Sequence, residues 1–422
     1  MPKMLRKYIT FLLFLSLFFN TGNGDTSVFL TVSSLAWKEE NGKVIQRQVE
    51  MNWIHNNTYE EAWVCLYDHD PFDSKEDCLV KINVTNDPTG YHKTEFGFPK
   101  INFKPDNLTD ECLHYWIALI SSGDIIVSSC YRAHPHWMIN LRDQIGNYSL
   151  DELMLPGTHN SGSYQNYDPR KDYIMNRYIV TQDETIWNQL VYGNRYLDIR
   201  VAYQNDTFFI THSVFVSDIP LAKVIEDVKL FLNSTQEIVI LDFHRFENGF
   251  NGLNSDRIHL KLIQYLENEL SSIMIPSSYG YKVSLNTLWE NNRRLYVGYT
   301  SYSAEFGFSS EYLFKKVSHQ WADADTIHDL EEYFNRTVCK RIRKNLQSSM
   351  AQMTPKMAGI FFDRYKGLRV MAQAVNLKVT EWFRERWWHC ANIVATDFFH
   401  GNNIIEVAIE ANKKRWLQLS IY

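Results

Sequence analysis

Two patterns of apolar and polar positions divide the chain near residue 133. From about Asp25 to Arg132, short apolar or alternating runs are separated by turn residues, as is typical of antiparallel strands. Ala62–Tyr67 and Ile125–Cys130 are two such runs, and Asp68-His69-Asp70-Pro71 is one of the turns. We therefore predict a small all-β sandwich domain over residues 25–133.

After His134-Pro135-His136-Trp137, strand-like and helix-like patterns alternate. Glu237–Phe243 is rich in β-branched residues, as buried parallel strands are, and Leu221–Leu232 carries apolar residues at helical spacing. This alternation over residues 138–422 predicts an α/β fold, a TIM-type βα-barrel. A doubly wound sheet is the alternative, but no Gly-x-Gly-x-x-Gly motif supports a nucleotide-binding form of it.

The first residues have the pattern of a secretory signal peptide. Met1–Lys7 carries three cations, Tyr8–Asn20 is almost wholly apolar, and small residues lead up to Gly24. The apolar stretch is shorter than the ~20 residues that span a bilayer, which disfavours a membrane anchor. We expect residues 1–24 to be removed and the mature protein to be secreted or held in the lumen of the secretory pathway.

Charge and cysteine content narrow the possibilities further. The net charge of −6, which becomes more negative when the cationic leader is removed, argues against nucleic-acid partners. Six cysteines in an exported chain predict disulfides, and no Cys-x-x-Cys pair supports a zinc site. We expect two bridges of open pairing among Cys65, Cys78, Cys112 and Cys130, and one between Cys339 and Cys390. Sequons for N-glycosylation, of which we expect partial use, begin at Asn56, Asn83, Asn107, Asn147, Asn205, Asn233 and Asn335.

Polar residues that could carry chemistry lie where apolar runs end, between Asp151 and Arg245. The carboxyl ends of strands form the mouth of a βα-barrel. Asp198 and Arg200 are two apart and share a face, and two inward charges are costly unless they serve a site. With His159 and His212 they suit phosphodiester cleavage by two imidazoles and a phosphate-binding guanidinium. Singly, each residue has a commoner structural role; the combination favours a site.

These segments, Pro156-Gly157-Thr158-His159-Asn160-Ser161, then Asp198-x-Arg200, then Thr211-His212, resemble the X domain of phosphatidylinositol-specific phospholipases C. The likeness covers about Trp137–Tyr422 and is closest to X-domain-containing proteins without the regulatory modules of signalling enzymes. It implies that His159 is the general base on the inositol 2-hydroxyl. It also implies that His212 is the general acid toward the diacylglycerol oxygen.

The resemblance further implies a site without metal or cofactor. Arg200 stands where metal-independent bacterial enzymes have an arginine and calcium-dependent enzymes have a carboxylate. His244 departs from both branches, so the oxygen ligands that Ca²⁺ needs are missing. Asn160, which follows the base as in the calcium-dependent branch, and His244 are candidate substrate contacts. Asp198 is expected to orient His212 or the phosphate-binding group.

Three later positions complete the expected site. Asp397 is the candidate carboxylate that holds His159, with a helix N-cap as its alternative role. Tyr299 aligns near the position where bacterial enzymes place a substrate-binding arginine. Arg293 and Arg294 lie at the start of that strand, where they are not expected to reach the lumen. Trp321, with Asp323 beside it, is a further candidate for the pocket wall.

The implied reaction is intramolecular attack of the inositol 2-hydroxyl on phosphorus, which releases diacylglycerol and an inositol cyclic phosphate. The alternatives are a phosphodiesterase for another phospholipid and a non-catalytic lipid- or protein-binding module. A lipid substrate implies a membrane surface, which an acidic chain would meet through aromatic side chains. Candidates are Trp387-Trp388, Phe398-Phe399 and Phe306–Phe314, although core packing is the commoner role. The sequence leaves the oligomeric state open.

Overall fold

The computed structural model describes residues 26–55, 59–73, 77–252, 254–300, 310–339 and 345–419. The expected signal peptide, residues 1–24, lies outside the described residues. Among the helices in the described ranges, none combines the length and the apolar character needed to cross a membrane.

The chain forms two compact units. One contains the described part of Met1–Leu30 together with Glu50–Thr94 and His114–Tyr131. The other contains Thr31–Val49, Glu95–Leu113 and Arg132–Tyr422. In this second unit the buried Arg47 guanidinium lies 2.6 Å from the Glu184 carboxylate. Two stretches within the predicted sandwich range, 31–49 and 95–113, thus belong to the same unit as the barrel.

The N-terminal part of the chain contains antiparallel sheets, as its alternating pattern predicts. One sheet has the order β1-β4-β7, a second has the order β6-β5-β8-β9, and β2 pairs with β3. These strands are β1 (Ser27–Val32), β2 (Ala36–Lys38), β3 (Val44–Gln46), β4 (Gln48–Ile54), β5 (Ala62–Tyr67), β6 (Val80–Asn83), β7 (Thr89–Gly97), β8 (Cys112–Ser121) and β9 (Asp124–Arg132).

The cysteines of this part depart from the expected two bridges. Cys112 and Cys130 are disulfide-bonded, whereas Cys65 and Cys78 are free thiols whose sulfur atoms lie 2.8 Å apart. Burial raises the pKa of Cys65 to about 12, which disfavours the thiolate that begins disulfide exchange. The prediction of a bond at these two cysteines is therefore wrong for this structure. The predicted Cys339–Cys390 bridge is present.

The second unit is built around a curled, mostly parallel sheet, which confirms the predicted TIM-type barrel. Its order is β16-β15-β14-β11-β10-β19-β18-β17, and the hairpin β12-β13 extends from β11. Because β16 and β17 are consecutive in the chain, the path returns almost to its start, which excludes the doubly wound alternative. The strands are β10 (Leu155–Thr158), β11 (Tyr196–Gln204), β12 (Thr207–His212), β13 (Phe215–Pro220), β14 (Val239–Phe246), β15 (Leu295–Tyr299), β16 (Leu313–Lys315), β17 (Ser318–Gln320), β18 (Gln347–Met350) and β19 (Ile393–Thr396).

Helices cover the outside of this sheet. In α4 the buried residues Leu221, Val224, Ile225, Val228 and Leu232 follow the 3.6-residue period, so one face packs inward. The helices are α1 (Trp137–Asn140), α2 (Arg142–Ile145), α3 (Ile186–Tyr192), α4 (Leu221–Ser234), α5 (Ser255–Leu270), α6 (Leu285–Glu290), α7 (Ile327–Thr337), α8 (Met357–Phe361), α9 (Leu368–Trp382) and α10 (Ile404–Leu419). Short 3₁₀ turns lie at Pro169–Lys171, Asn176–Tyr178, Ser277–Tyr279 and Phe399–Gly401, and a π-helical turn at Phe383–Trp387.

The inward face of the barrel changes from apolar to ionisable along β11, β14 and β19. Tyr196, Ile240 and Ile393 belong to one buried apolar cluster. Two and four positions further along their strands stand the residues predicted to carry chemistry, among them Asp198 and Arg200. Since side chains alternate along a strand, these positions share the inward face. The site is therefore placed at the carboxyl end of the sheet.

Candidate active site

The segment Pro156-Gly157-Thr158-His159 places an imidazole at the carboxyl end of β10. A Cβ atom at Gly157 would lie 2.7 Å from Cβ of Tyr196, so only glycine permits β10 to approach β11 this closely. The His159 backbone N–H donates to the Thr396 carbonyl at 3.0 Å, which ties the end of β10 to the end of β19. This packing fixes the position of the His159 backbone at the carboxyl end of the sheet.

His159 is held from both of its ring nitrogens. Its Nδ1 lies 2.7 Å from the Asp397 carboxylate, and the Arg200 guanidinium donates to its Nε2 at 2.6 Å. Because a guanidinium cannot accept a hydrogen bond, Nε2 must be the unprotonated nitrogen and Nδ1 the protonated one. His159 is therefore a neutral imidazole whose basic nitrogen faces the arginine, as a general base requires.

Asp397 is brought to His159 by a constrained turn. It directly follows β19, and Phe398 after it has φ of +46°, which non-glycine residues rarely adopt. The next regular helix, α10, begins only at Ile404, so Asp397 is not a helix N-cap. The predicted pairing with His159 is thus the geometry observed, and the capping alternative is wrong.

Asp198 is the centre of the charged cluster. Its buried carboxylate accepts two hydrogen bonds from Arg200, at 2.9 and 3.3 Å, and one from the Asn160 backbone N–H at 2.9 Å. The His244 Nδ1 lies 2.8 Å from its other oxygen. Burial opposes ionisation, but Arg200 first, and then His244 and His159, hold the pKa of Asp198 well below its usual range. Asp198 therefore fixes Arg200 and His244, not His212.

His212 faces His159 across the mouth. Their ring centroids are 6.3 Å apart and the rings are nearly perpendicular. The Nδ1–H of His212 donates to the Ile179 carbonyl at 2.5 Å, so Nε2 is the nitrogen that gains or loses a proton. Burial, and secondarily the charge of Arg200, lower the pKa of His212 to about 3. The side chain is therefore neutral in the free protein at physiological pH.

Asn160 contributes through its backbone as well as its amide. It has φ of +40°, a conformation that asparagine tolerates better than most residues. Its side chain is fully buried, and neither amide atom has a hydrogen-bond partner within the described residues. An unsatisfied buried amide is costly, so this side chain is suited to receive a polar ligand.

Sequence reasoning missed two residues of the site, Asp242 and His319. The Asp242 carboxylate lies 2.7 Å from Nε2 of His319 and accepts from the Tyr196 hydroxyl at 2.9 Å. The His319 and His244 rings are in contact, with centroids 4.2 Å apart and planes tilted by 50° to each other. The signal for Asp242 was its position two residues before His244 on β14, as Asp198 precedes Arg200. Nothing local marks His319, which comes from the other side of the barrel.

Two predicted pocket residues lie elsewhere. Tyr299 is buried with its hydroxyl 2.8 Å from Nδ1 of His259 on α5, so it faces the helical layer. The inward position on β15 is Gly298, where a Cβ would meet the Asp242 carboxylate at 2.8 Å. The assignment of Tyr299 to substrate binding is therefore wrong. Trp321 is 44% exposed and donates to the Thr354 hydroxyl, outside the cluster around Asp198.

The aromatic clusters favoured by the sequence for membrane contact pack within the protein. Trp387, Phe398 and Phe399 are each less than a tenth exposed. Phe314 is buried as well, and Phe306 lies outside the described residues. The expectation of membrane contact is therefore wrong for these buried residues.

The charged cluster does not suit calcium. The Arg200 guanidinium lies 2.9 Å from the Asp198 carboxylate and would repel a cation there, and His244 offers nitrogen where Ca²⁺ prefers oxygen. Asp242, His244 and His319 have ligand atoms all within 4.8 Å of one another, a mixed set of the kind that transition metals prefer. In a second group, Cys339, His389 and Cys390, the sulfur atoms are bonded to each other and offer no thiolate.

Comparison with curated proteins supports the family suggested by the motifs. PI-PLC X domain-containing protein 3 of mouse is 26% identical over 308 residues, which cover 65% of this chain and 92% of the relative. Human PI-PLC X domain-containing protein 2 is 26% identical over 263 residues, covering 55% and 82%. This chain is similar to the PI-PLC X domain-containing proteins. No family model matches it.

Solved structures give the same architecture for the PI-PLC-like barrel. A phosphatidylinositol-specific phospholipase C of Staphylococcus aureus superimposes with a TM-score of 0.52 at 14% identity, covering 66% of this chain and 97% of that one. A fluorophenylalanine-containing form of that protein gives 0.51 at 15% identity over the same shares. At such identity the match establishes the fold alone. The chemistry must be argued from this chain's own residues.

Proposed function

We propose that the chain is a phosphodiesterase that cleaves phosphatidylinositol, or a glycosyl-inositol phospholipid, to diacylglycerol and an inositol cyclic phosphate. One observation carries this proposal. An oriented imidazole, His159, and a second imidazole, His212, face each other across 6.3 Å, and Arg200 lies between His159 and the carboxylate of Asp198. The relatives' names and the PI-PLC fold support the class of reaction.

The chemistry needs no external nucleophile. Nε2 of His159 takes the proton of the inositol 2-hydroxyl as its oxygen bonds to phosphorus, and Asp397 stabilises the imidazolium that forms. The phosphorus–oxygen bond to diacylglycerol breaks, and Nε2 of His212 gives that oxygen a proton. Arg200 offsets the charge on the phosphoryl oxygens. Because the attacking hydroxyl is on the substrate itself, proximity contributes strongly to the rate.

The phosphodiester also supplies what His212 lacks. The charge of Arg200 is one reason why the pKa of His212 is low, and a bound phosphate anion would offset that charge. Substrate binding is therefore expected to raise the pKa of His212 and to allow it to carry the proton it must donate. His212 would then become a proton donor only when the phosphodiester is bound.

The test is turnover of labelled phosphatidylinositol by the mature protein in the presence of a chelator. We expect release of diacylglycerol and a cyclic inositol phosphate, lost in His159→Ala and kept in the control His328→Ala. His328 is exposed on α7. Turnover of a different phospholipid, or lipid binding without product from any of them, would replace this proposal with one of the two alternatives.

We also propose export of the chain, with cleavage near Gly24. The Cys339–Cys390 disulfide supports this, since such bonds persist in oxidising compartments. N-terminal sequencing of protein from culture medium would check it, and retention of Met1 would contradict it.

A further inference from the structure

Asp242 is a fully buried carboxylate on β14 that has no permanent cation beside it. Within the described residues its one ion-pairing partner is His319, whose Nε2 lies 2.7 Å from Oδ2. Asp198, its register partner on β11, is instead paired with the guanidinium of Arg200. Buried charges in proteins are generally paired or bound to a metal ion. Asp242 therefore keeps a charge that a further cation could neutralise.

The orientation of the Asp242 carboxylate is fixed by its neighbours. The Val317 backbone N–H donates to Oδ1 at 3.0 Å, and the Tyr196 hydroxyl donates to Oδ2 at 2.9 Å. Gly298 faces the same carboxylate from β15, and a Cβ atom there would lie 2.8 Å from Oδ1. These contacts hold Oδ2 toward His319 without the help of any ligand.

Two imidazoles complete the cluster. Asp242 and His244 are two apart on β14 and share its inward face, and His319 comes from β17. The ligand atoms of the three side chains all lie within 4.8 Å of one another. The side chains of His244 and His319 keep 11% and 15% of their surfaces exposed. The group is therefore already assembled, and an ion from solution can reach it.

The second nitrogen of His244 is also provided for. Its Nδ1 lies 2.8 Å from the Asp198 carboxylate. An acidic neighbour favours the ring proton on Nδ1, which leaves the lone pair that binds a metal ion on Nε2. Histidines that bind metal ions usually have a carboxylate or carbonyl at their other nitrogen in this way. His244 is thus oriented as a ligand through Nε2.

The donor set selects the kind of ion. One carboxylate oxygen and two imidazole nitrogens suit Zn²⁺, whereas Ca²⁺ and Mg²⁺ prefer oxygen throughout. Zinc sites with three such ligands keep a further position open for water or another ligand. A hydrogen-bonded Asp–His pair alone, such as His159 with Asp397, would not require a second imidazole against the first. The second imidazole therefore favours a metal site over a simple hydrogen-bonded pair.

We propose that Asp242, His244 and His319 bind one Zn²⁺ ion at the carboxyl end of the barrel. The ion takes no part in the proposed reaction, which uses two other imidazoles and a guanidinium. It occupies the imidazole of His244, which is also a candidate contact of the substrate. Zn²⁺ is therefore expected to compete with phosphatidylinositol and to inhibit turnover, a consequence that rests on the proposed function.

Binding is measured first, without substrate, on the purified chain after a chelator has been applied and removed. Co²⁺ is the spectroscopic probe, and Zn²⁺ should displace it. We expect one ion per chain, with visible cobalt absorption, and a higher Tm when Zn²⁺ is added. His319→Ala should weaken the affinity by more than the ~10–100-fold that is typical when a residue behind a ligand is lost.

Two further variants keep this measurement decisive. Asp242→Asn preserves the volume of the side chain and should also lose the ion, and the Tm without metal shows that each variant is folded. The control is His389→Ala, in the group whose two sulfur atoms are bonded to each other, which should leave the affinity unchanged. Cobalt binding that survives both His319→Ala and Asp242→Asn overturns the site. So does a parent that binds neither ion.

Turnover then separates the site from the proposed function. On a monomeric short-chain phosphatidylinositol, Zn²⁺ should raise KM with little change in kcat, and a chelator should reverse the effect. A zinc-loaded parent with the KM of the metal-free protein would contradict the competition. Zinc binding through these three residues without cleavage of phosphatidylinositol would retain the site and reject the proposed function. Turnover by a parent that binds no ion would do the opposite.

Discussion

The guanidinium of Arg200 donates to Nε2 of His159, the nitrogen that must accept a proton if His159 is the base. This hydrogen bond, 2.6 Å long, occupies the lone pair of that nitrogen. A phosphodiester would draw the guanidinium onto its own oxygens and free the nitrogen. In the proposed mechanism, the pair would therefore couple phosphate binding to activation of the base.

Arg200→Lys tests this coupling. Lysine keeps the charge but cannot bond Asp198 through two nitrogens while also reaching His159. We expect kcat/KM on phosphatidylinositol to fall by about a hundredfold or more. Arg170→Lys, at an exposed ion pair, should have no effect. Near-parental kinetics in Arg200→Lys would show that only a positive charge is needed.

Asp397→Asn tests the orientation of the base. Asparagine preserves the volume but removes the charge that fixes the His159 tautomer and stabilises its imidazolium, so kcat should drop ~10²–10⁴-fold. Thermal unfolding should change little. Asp218→Asn, at an exposed position of β13, serves as the control. Equal kcat in parent and Asp397→Asn would remove this carboxylate from the mechanism.

Removal of divalent cations should leave turnover unchanged. The guanidinium of Arg200 lies beside Asp198, where it would neutralise the phosphate in place of a metal ion. A chelator would therefore remove nothing that this step needs. Rates are compared before and after dialysis against a chelator, then with Ca²⁺ or Zn²⁺ added back. A rate that is lost on dialysis and recovered with Ca²⁺ would show that the enzyme requires calcium. Recovery with Zn²⁺ alone would point to Asp242, His244 and His319.

The free energy of unfolding should begin to decrease on acidification at a pH well above the range in which ordinary carboxylates titrate. Burial lowers the pKa of His212 to about 3 from an unfolded value near 6.5, and it also lowers the pKa of His244. Between these values the unfolded chain binds more protons, so the free energy of unfolding decreases as the pH falls below about 6.5. His212 alone adds a slope of up to about 1.4 kcal/mol per pH unit. Urea unfolding between pH 8 and pH 4 would measure it, since His212→Gln should flatten the curve; an identical slope in that variant would contradict the assignment.

A buried ion pair at the start of β11 should be important for folding. The Arg195 guanidinium lies 2.6 Å from the Glu237 carboxylate, and both side chains are fully buried. Glu237→Ala would strand the guanidinium and remove the acceptor for the Met138 and Ile139 backbone N–H groups, at a cost of about 3–5 kcal/mol. Glu226→Ala, at the exposed pair with Lys223, should cost less than about 1 kcal/mol. Chemical denaturation measures both, and equal losses would contradict the argument.

The residue pattern was enough to predict the βα-barrel, the antiparallel N-terminal region and the strand ends that carry His159, Asp198, Arg200 and His212. These follow from local rules. Alternation along a strand fixes which residues face inward, and a glycine such as Gly157 is needed where two strands approach closely. The Asp397–His159 pair was expected from the family resemblance, and the structure gives its physical basis, because the two residues directly follow neighbouring parallel strands.

Other features of the site depend on contacts between segments that are distant in the chain. His319 joins Asp242 and His244 because β17 returns to the sheet from the far side of the barrel, which no local pattern indicates. Tyr299 faces α5 because Gly298 holds the inward position on β15. Burial and contact between distant segments are properties of the folded chain, so the sequence pattern alone leaves them open.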